Sequence, residues 1–346
     1  MDNSKEKKIT INDIARLSGV SKASVSRYIN GKYENLSEET RDRIGKIIED
    51  TGYRPNRSAQ RLKAGRTMLI GCVIGDISSP FSALLLRGII SECEKAGYQV
   101  LFANSDNDAK RERAAIQGFT ENRVDGLIVN TSGGNDDYLV EINNRVPIVL
   151  ADRGLMTKGV LDTVEGSNRE SAKECIECLY KFGYEKVAFF TEGNRQITPR
   201  IQRCEGYLDG LREFYKSNTE PLIYEFDRHI EGDCAKALTK YILDNNGKRI
   251  AAMAVNGVTC QQMILAANEI GVSFGKDFGV CTFDDWDWLK MAPPGITSVK
   301  QQTEKIGEKS AKVLLEKVAA GVSADKSDVV DIILKSEIII RGSTVK

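Results

Sequence analysis

The segment from residue 10 to residue 31, TINDIARLSGVSKASVSRYING, constrains the fold of this chain more than any other segment. It predicts two short helices that are interrupted at a single glycine, Gly19. Apolar residues on both sides of that glycine recur at helical spacing. They are Ile11, Ile14, Ala15, Leu17, Val20, Val25 and Ile29. Two amphipathic helices joined by such a tight turn form a helix-turn-helix.

The outward face of the second helix carries short, polar or basic side chains. These are Lys22, Ala23, Ser24, Ser26 and Arg27. Such a surface allows a helix to lie in the major groove of DNA and contact base edges. The same two-helix pattern also fits an ordinary helical hairpin on a larger protein, so the motif needs support from another feature.

The distribution of charged residues along the chain supports the DNA-binding interpretation of the motif. Residues 1–66 contain 15 Lys and Arg against 9 Asp and Glu, a balance of +6, whereas the remainder has 34 against 40, a balance of −6. The neutral total therefore conceals a basic head on an acidic body. Basic side chains close to the motif can neutralise DNA phosphates and release counterions, which favours nucleic-acid binding.

A third helix completes the head. Ser37-Glu38-Glu39-Thr40 predicts a capped helix start, Ile44, Ile47 and Ile48 then point inward, and Gly52-Tyr53-Arg54-Pro55 ends the helix. We therefore expect a helical headpiece over residues 1–55. Residues 56–66 are too few and too polar to bury an apolar stripe, so we expect a hinge helix or linker that folds only on its partner.

From residue 67 onward, short apolar runs alternate with helical stretches. The runs that predict strands are MLIGCVI, QVLFA, GLIVN and PIVLA, followed by KVAFF, LIYEF, IAAMAV and FGVCTF. Alternation of this kind predicts parallel sheets covered by helices, and its recurrence predicts two similar lobes over residues 67–346. Polar residues follow these strands, namely Asp76, Asn104, Asn130, Asp152, Thr191, Asp227, Asn256 and Asp284. Ligands of such sheets bind beyond the strand ends, although each of these residues alone would also suit a helix N-cap.

The chain resembles bacterial transcription regulators of the lac-repressor family. The resemblance rests on TINDIARLSGVSKASVSRYING, GYRPNRSAQRLKAGRT, IGCVIGDISSPFSALLLRGI, LADR, TFDD and PPGITSVKQ, and so covers nearly the whole chain. It implies an all-α helix-turn-helix headpiece followed by a two-lobed α/β domain of the type I periplasmic-binding-protein kind, which binds an effector and dimerises. It also implies that residues 56–63 form a hinge helix on the operator, with Leu62 wedged into the minor groove.

The expected DNA contacts lie in the headpiece and the hinge. They are Thr10, Ser21, Lys22, Ala23, Ser24, Ser26, Arg27, Asn30, Tyr53, Asn56, Ser58, Ala59 and Leu62. The expected partner is a near-palindromic operator bound by a homodimer, because each head reads one half-site. The first helix of the first lobe, with Leu84 to Leu86, Ile89 and Ile90, is apolar beyond one stripe. We expect its sheet to cover one side and the partner subunit the other.

The expected effector contacts lie at the strand ends of both lobes. The resemblance implies such a role for Arg203, Asn256 and Asp284, and also for Asp152, Pro80 and Phe81. Arg200 lies one helical turn before Arg203, so both guanidinium groups could face one cleft, although Arg200 would equally suit a solvated helix end. Trp286 could offer a sugar an apolar face or serve only in packing. The chain departs from the family at Asn256-Gly257, where many members have Asn-Asp, so one carboxylate is missing.

Arg200 and Arg203 indicate the chemical class of the effector. Arginine binds carboxylates in bidentate fashion, whereas a neutral sugar seldom requires two of them. The segments 198–200, AVNG and FDDWDW resemble the ketodeoxygluconate-regulator branch of the family. We therefore expect a small sugar acid as effector, with a neutral sugar as the alternative.

Other functional classes have less support. No nucleophile elbow, phosphate-binding loop or metalloprotease motif occurs, and His229 is the single histidine, so we expect neither an enzyme nor a cofactor or metal. The eight cysteines, Cys175 and Cys178 included, are expected to be reduced core residues. A solute-binding protein would share the lobes, but no export signal or membrane segment is visible, so a cytoplasmic location is expected.

Overall fold

The computed structural model describes residues 9–29, 31–53, 66–193, 196–215, 219–321 and 329–345. It divides into two compact units, Met1–Thr67 and Met68–Lys346. Each unit is described by itself.

The first unit is a helical headpiece. Its helices are α1 (Ile11–Ser18), α2 (Lys22–Ile29) and α3 (Glu38–Thr51), with a short 3-10 turn at Tyr33–Asn35. Helix α1 begins at a capping box, in which the Thr10 amide donates to Asp13 at 3.0 Å and the Asp13 amide donates to the Thr10 hydroxyl at 3.4 Å. It ends at Gly19, whose φ of +66° is the left-handed conformation that glycine adopts without strain.

The headpiece core forms where the three helices meet. Ile14, Val25 and Ile44 are fully buried there. Leu17 was expected in this stripe, but that prediction is wrong, because its side chain is 52% exposed. The inward face of α1 runs at i, i+3, i+4 and i+7 through residues 11, 14, 15 and 18. Ser18 therefore takes the last inward position, where its hydroxyl donates to the Ile14 carbonyl at 2.6 Å.

Helix α3 begins and ends as the sequence predicts. The Thr40 amide donates to the Ser37 hydroxyl at 3.3 Å, which satisfies one of the free N–H groups of the first turn. The helix ends at Gly52 with φ of +61°. The predicted three-helix headpiece is thus confirmed.

The second unit contains two lobes, each built on a six-stranded sheet. Lobe 1 contains strands β1 (Leu69–Ile74), β2 (Gln99–Asn104), β3 (Gly126–Val129), β4 (Ile148–Ala151), β5 (Asp162–Gly166) and β11 (Asp331–Leu334). Its helices are α4 (Pro80–Lys95), α5 (Ala109–Glu121), α6 (Asp136–Asn143) and α12 (Thr303–Ala320). The strand order is β11-β5-β4-β3-β1-β2, and all pairs are parallel.

Lobe 2 repeats this arrangement. Its strands are β6 (Lys186–Glu192), β7 (Leu222–Phe226), β8 (Ile250–Ala254), β9 (Gly279–Phe283), β10 (Thr297–Lys300) and β12 (Glu337–Ile339). Its helices are α7 (Asn168–Lys181), α8 (Thr198–Phe214), α9 (Asp233–Asp244), α10 (Gly257–Ile270) and the short α11 (Trp288–Met291). The order is β12-β10-β9-β8-β6-β7, with only β12 antiparallel to its neighbour. The predicted alternation and the two similar lobes are confirmed.

Helix α4 packs against α12 of the same chain, and the cover of its remaining apolar surface by a partner subunit stays a prediction. The backbones of the two helices approach closely because glycine stands at both crossing points. A Cβ on Gly88 would lie 2.1 Å from the Glu304 carbonyl oxygen, and one on Gly307 would lie 2.2 Å from the Leu85 carbonyl oxygen. Arg87 and Glu304 add a two-point ion pair at 2.8 and 2.5 Å.

All eight cysteines are free thiols, and burial raises the pKa of Cys93 to about 11 and that of Cys260 to about 12. Over the described ranges, no group of three His, Cys, Asp or Glu side chains is arranged to hold a metal ion. Nor does that part of the chain contain a helix long and apolar enough to cross a membrane.

Candidate DNA-facing helix and effector cleft

Helix α2 presents a compact polar face on the headpiece. Lys22, Ala23 and Arg27 are exposed, and their spacing places them on one side of the helix opposite the buried Val25. Ser21 precedes the helix and caps it, since the Ser24 amide donates to the Ser21 hydroxyl at 3.1 Å. The exposed face thus combines two cations with a methyl group.

The other expected DNA contacts divide into two groups. Thr10 is exposed at the start of α1, Ser24 and Ser26 are partly buried, and Tyr53 packs beside the headpiece core. The expected contacts that lie outside the described residues are Asn30, Asn56, Ser58, Ala59 and Leu62.

A cleft with a volume of about 70 Å³ lies between the two lobes, beyond the carboxyl ends of the strands. Six of the predicted effector contacts line it, drawn from both lobes. They are Phe81, Asp152, Arg200, Arg203, Asn256 and Asp284. Residues up to about two hundred positions apart in the chain thus meet at one cleft, and their contact with an effector stays a prediction.

Two predicted contacts lie elsewhere. Pro80 is exposed at the first position of α4 and does not line the cleft, whereas the adjacent Phe81 does. Trp286 is buried, with 8% of its surface exposed, and packs against Gly257. A Cβ on Gly257 would lie 2.5 Å from the indole ring, so the ring can take this position only because residue 257 has no side chain. The indole therefore occupies the space next to the position where the family carboxylate is missing.

Asn256 both lines the cleft and caps helix α10. Its Oδ1 accepts the Thr259 amide at 2.8 Å, which is the N-cap role that any polar residue after a strand can take. Because the side-chain carbonyl is committed to the cap, the amide N–H groups are what Asn256 can offer to a ligand. The two roles are compatible.

Asp284 is held on both oxygens. One oxygen accepts the Gly257 amide at 3.1 Å, and the other accepts the Gln301 side-chain amide at 2.7 Å. Only 6% of the residue is exposed. These two donors fix the carboxylate of Asp284 in the wall of the cleft.

Asp152 is less well satisfied. Its Oδ2 accepts from Asn130 at 3.5 Å, whereas its Oδ1 is buried without a hydrogen-bond partner. Burial raises the pKa of this carboxyl from 3.8 to about 6. An acceptor that is buried and unpaired costs free energy in the unliganded protein. Oδ1 of Asp152 is therefore an acceptor that can take a hydrogen bond from a hydroxyl group.

Arg203 is anchored entirely by neutral groups. Its Nε donates to Asn168 at 2.9 Å, and its two terminal nitrogens donate to the Val255 carbonyl at 2.8 Å and to Gln301 at 3.3 Å. The guanidinium also lies 4.0 Å from the centre of the Phe283 ring. With 4% of its surface exposed, Arg203 is a buried cation that donates no hydrogen bond to a carboxylate among the described residues, although Asp284 and Asp152 attract it through space.

Arg153 is a second cation with neutral hydrogen-bond partners, and its side chain is partly buried. One terminal nitrogen donates to Asn107 at 2.7 Å and to the Thr131 carbonyl at 3.0 Å. Burial lowers the pKa of Arg153 to about 10, and burial also lowers the pKa of Arg203. Both shifts have the same cause, since removing a guanidinium from water disfavours its charged form.

Two further arginines in the cleft have carboxylate partners. Arg200 pairs with Glu192 at 3.0 Å, and only 14% of each side chain is exposed. Arg228 pairs with Asp76 at 3.2 Å. Because Asp76 follows β1 and Arg228 follows β7, the second pair joins the two lobes at the cleft.

Several cleft residues were missed by the sequence analysis. They are Ser79, Ser82, Asn107, Arg153, Glu192, Ile197, Pro199, Arg228 and Val258, and they line the cleft together with the strand-end residue Asp76. Three of the missed residues carry charge within two positions of a strand end, namely Arg153 after β4, Glu192 at the end of β6 and Arg228 after β7. Extending the strand-end search by one residue in each direction would have found all three.

This combination of a helix-turn-helix head with a cleft between two α/β lobes defines a class of ligand-controlled regulator. Residues 10–56 match the family model described as bacterial regulatory proteins of the lacI family. Residues 67–337 match the model described as periplasmic binding proteins and sugar binding domain of the LacI family. The chain belongs to the LacI family of bacterial regulatory proteins.

Relatives of known name agree with this assignment. The chain is 34% identical over 335 residues to the HTH-type transcriptional regulator KdgR of Bacillus subtilis (strain 168), covering 96% of this chain and 97% of the relative. It is 32% identical over 338 residues to the HTH-type transcriptional regulator PtxS of Pseudomonas plecoglossicida, covering 97% and 96%. These relatives are transcription regulators, so the predicted class, a DNA-binding regulator and not an enzyme, is confirmed.

Solved structures confirm the predicted fold class. The lac repressor dimer bound to operator and the anti-inducer ONPF superposes with a TM-score of 0.83 at 21% identity. The alignment covers 98% of this chain and 100% of the other.

Proposed function

We propose that this chain is a repressor that binds a near-palindromic operator as a homodimer and is released from it by a small sugar acid such as ketodeoxygluconate. The observation that carries the ligand class is that the partly buried Arg153 and the buried Arg203 have only neutral hydrogen-bond partners. Asp152 attracts both guanidinium groups through space, and Asp284 also attracts Arg203, but no carboxylate among the described residues accepts a hydrogen bond from either one. A ligand carboxylate would supply this charge-assisted hydrogen bond.

Two unpaired carboxylate oxygens in the same cleft support the binding of ligand hydroxyl groups. Asp152 Oδ1 and Glu192 Oε1 are buried without partners, and both residues line the cleft. A carboxylate oxygen can only accept, so each calls for a donor from the ligand or from water. A ligand with one carboxylate and several hydroxyls meets both requirements.

Operator binding is supported by the headpiece. Lys22, Ala23 and Arg27 form an exposed face on α2, where a recognition helix contacts base edges. A two-fold operator requires a two-fold protein, and the similar fold of the lac repressor dimer bound to operator supports this assembly. Because the DNA target lies in the cytoplasm, the protein is proposed to act there.

A neutral sugar is the second candidate effector. Two observations favour it, since Arg200 is already paired with Glu192 and Arg228 with Asp76. These pairs reduce the number of cations available for an acidic ligand. The two candidates differ in one measurable property, the affinity for an acid relative to that for the matching neutral sugar.

Intrinsic fluorescence can separate the candidates. Trp286 and Trp288 lie with ring centres 6.1 Å apart, and Trp286 contacts Gly257 next to the cleft residue Asn256. Tryptophan emission of the full chain should be followed during titration with ketodeoxygluconate, D-glucuronate and D-glucose. We expect the acids to bind more tightly than glucose. Tighter binding of glucose would overturn the acidic-ligand proposal and leave the neutral-sugar candidate.

The variant Arg203→Gln adds a control on the role of the charge. This substitution removes the positive charge and keeps a side-chain amide that can donate hydrogen bonds to the groups around Arg203. We expect the affinity for the acids to fall by about tenfold or more relative to the affinity for glucose. An equal loss for acid and glucose would show that Arg203 only supports the structure of the cleft.

A further inference from the structure

The Glu192–Arg200 pair forms one wall of the effector cleft. Glu192 stands at the end of β6 and Arg200 in the first turn of α8, so both belong to lobe 2. Arg200 Nη2 donates to Glu192 Oε2 at 3.0 Å, and Arg200 Nη1 approaches the Glu192 carbonyl at 3.4 Å. Because the pair lies within one lobe, a movement of the two lobes relative to each other leaves it intact.

The other oxygen of Glu192 has a different environment. Oε1 is buried and has no hydrogen-bond partner. The carboxylate therefore satisfies Arg200 with one oxygen and presents an unsatisfied acceptor with the other. A ligand hydroxyl can satisfy this acceptor, whereas a ligand carboxylate would bring a second negative charge against it.

We propose that Glu192 determines effector specificity by selecting sugar acids that carry one carboxylate and excluding those that carry two. This inference rests on the proposed sugar-acid function. Glu192 pairs with Arg200. Arg153 and Arg203, which donate no hydrogen bond to a carboxylate of the described residues, are left to bind a single ligand carboxylate. Its free oxygen accepts a hydroxyl from the other end of the ligand. A dicarboxylate would place like charges together at that end and lose the hydrogen bond.

The open-chain acids D-gluconate and D-glucarate test this inference directly. They differ only at carbon 6, which is a hydroxymethyl group in gluconate and a second carboxylate in glucarate. Calorimetric titration of the wild-type full chain should show tighter binding of gluconate. In Glu192→Gln the shape is kept, the repulsion is removed and Arg200 is released to bind an anion. We expect the ratio of glucarate to gluconate affinity to rise by about tenfold or more.

Two variants serve as controls. Glu141→Gln removes a surface carboxylate that pairs with Arg145 at 2.9 Å and lies outside the cleft lining, and it should leave the ratio within about twofold. Arg200→Gln leaves Glu192 without its counterion, so the ratio should move in the opposite direction and glucarate should bind still more weakly. The opposite responses of the two partners do not arise from a general loss of folding, which thermal unfolding checks separately.

The outcomes distinguish the inference from the proposed function. If the wild type binds ketodeoxygluconate or gluconate but Glu192→Gln leaves the ratio unchanged, Glu192 is not the selective residue and the sugar-acid function stands. If the wild type prefers D-glucose to every acid, the proposed function itself is wrong and the inference fails with it. If Arg200→Gln and Glu192→Gln shift the ratio in the same direction, the electrostatic explanation is wrong.

Discussion

Asp152 and Asp284 adopt the same left-handed backbone conformation, with φ of +68° and +70°, at the first residue after the third strand of each sheet. Residues other than glycine rarely adopt such φ values, and doing so costs free energy at each site. The two lobes therefore place one strained carboxylate each at equivalent positions facing the cleft. Only Asp152 has an unpartnered oxygen, so the two equivalent residues differ in what they offer a ligand.

The raised pKa of Asp152 predicts a pH-dependent stability. With a folded-state pKa of about 6 against 3.8, the folded protein binds the proton more tightly than the unfolded chain does. Stability from this group is therefore gained as the pH falls from about 7 to 4 and is lost as it rises. We expect Asp152→Asn to be more stable than the wild type at pH 7.5, by at most about 3 kcal/mol.

Chemical denaturation at pH 7.5 and pH 5 checks this expectation. The advantage of Asp152→Asn should shrink at the lower pH, where the wild-type carboxyl is largely protonated. Asp284→Asn is the matched comparison, because its oxygens already accept two donors. The pKa assignment would be contradicted by a stability difference between Asp152→Asn and the wild type that is equal at both pH values.

Gly133 and Gly134 provide a test of the contact between lobes. Both have left-handed φ, +82° and +81°, so alanine strains the backbone to a similar extent at either position. A Cβ at Gly133 would lie 2.6 Å from the Gln196 backbone oxygen of lobe 2, whereas one at Gly134 would meet the end of the Gln196 side chain at 3.0 Å. Only Gly133→Ala therefore prevents this approach of the two lobes.

We expect Gly133→Ala to lose effector affinity by about tenfold or more relative to Gly134→Ala. Tryptophan-monitored titration with ketodeoxygluconate gives both affinities. Similar affinities in the two variants would mean that the approach of Gln196 to lobe 1 is not needed for binding.

Arg27 is predicted to read a base. Arg27→Ala should weaken operator binding by about 1–3 kcal/mol and leave binding to random-sequence duplex much less affected. Arg43→Ala is the matched control, because Arg43 lies on α3 and pairs at the surface with Glu39 at 3.4 Å. Fluorescence anisotropy on both duplexes decides the question, and an equal loss on each would make Arg27 a phosphate contact.

Leu62 is predicted to wedge into the minor groove of the operator, and this prediction rests on the family resemblance alone. Leu62→Ala should reduce operator affinity and DNA bending while leaving effector titrations unchanged. A circular-permutation gel assay measures the bend. The wedge role would be excluded by a bend angle equal to that of the wild type.

The headpiece and both lobes could be predicted from sequence because their signals are local. Caps at Ser37 and Gly52 and the alternation of strands and helices are properties of neighbouring residues. Leu17 was misplaced because a short helix leaves the limits of its apolar stripe ambiguous, and Ser18 occupies the inward position instead. The packing of α12 on α4 could not be predicted because α12 begins more than two hundred residues later in the chain.

The candidate site also combines features that local sequence signals predict with contacts that only the three-dimensional structure shows. Strand-end position identified Asp152, Asn256 and Asp284, since the carboxyl ends of parallel strands face the cleft. The partner of Arg200 could not be predicted, because the contact between Glu192 at the end of β6 and the first turn of α8 depends on how these two elements pack. Likewise, sequence left Trp286 open between sugar contact and packing, and its contact with Gly257 is visible only in three dimensions.

The central claim, that a sugar acid controls DNA binding, is tested most directly by operator affinity with and without ligand. An operator selected from random duplexes should be titrated with the full chain in the absence and presence of saturating ketodeoxygluconate. We expect the dissociation constant to rise by about tenfold or more with the acid and to stay unchanged with D-glucose. Tighter operator binding with the acid would show corepression, and an affinity unaffected by any sugar acid would contradict the account.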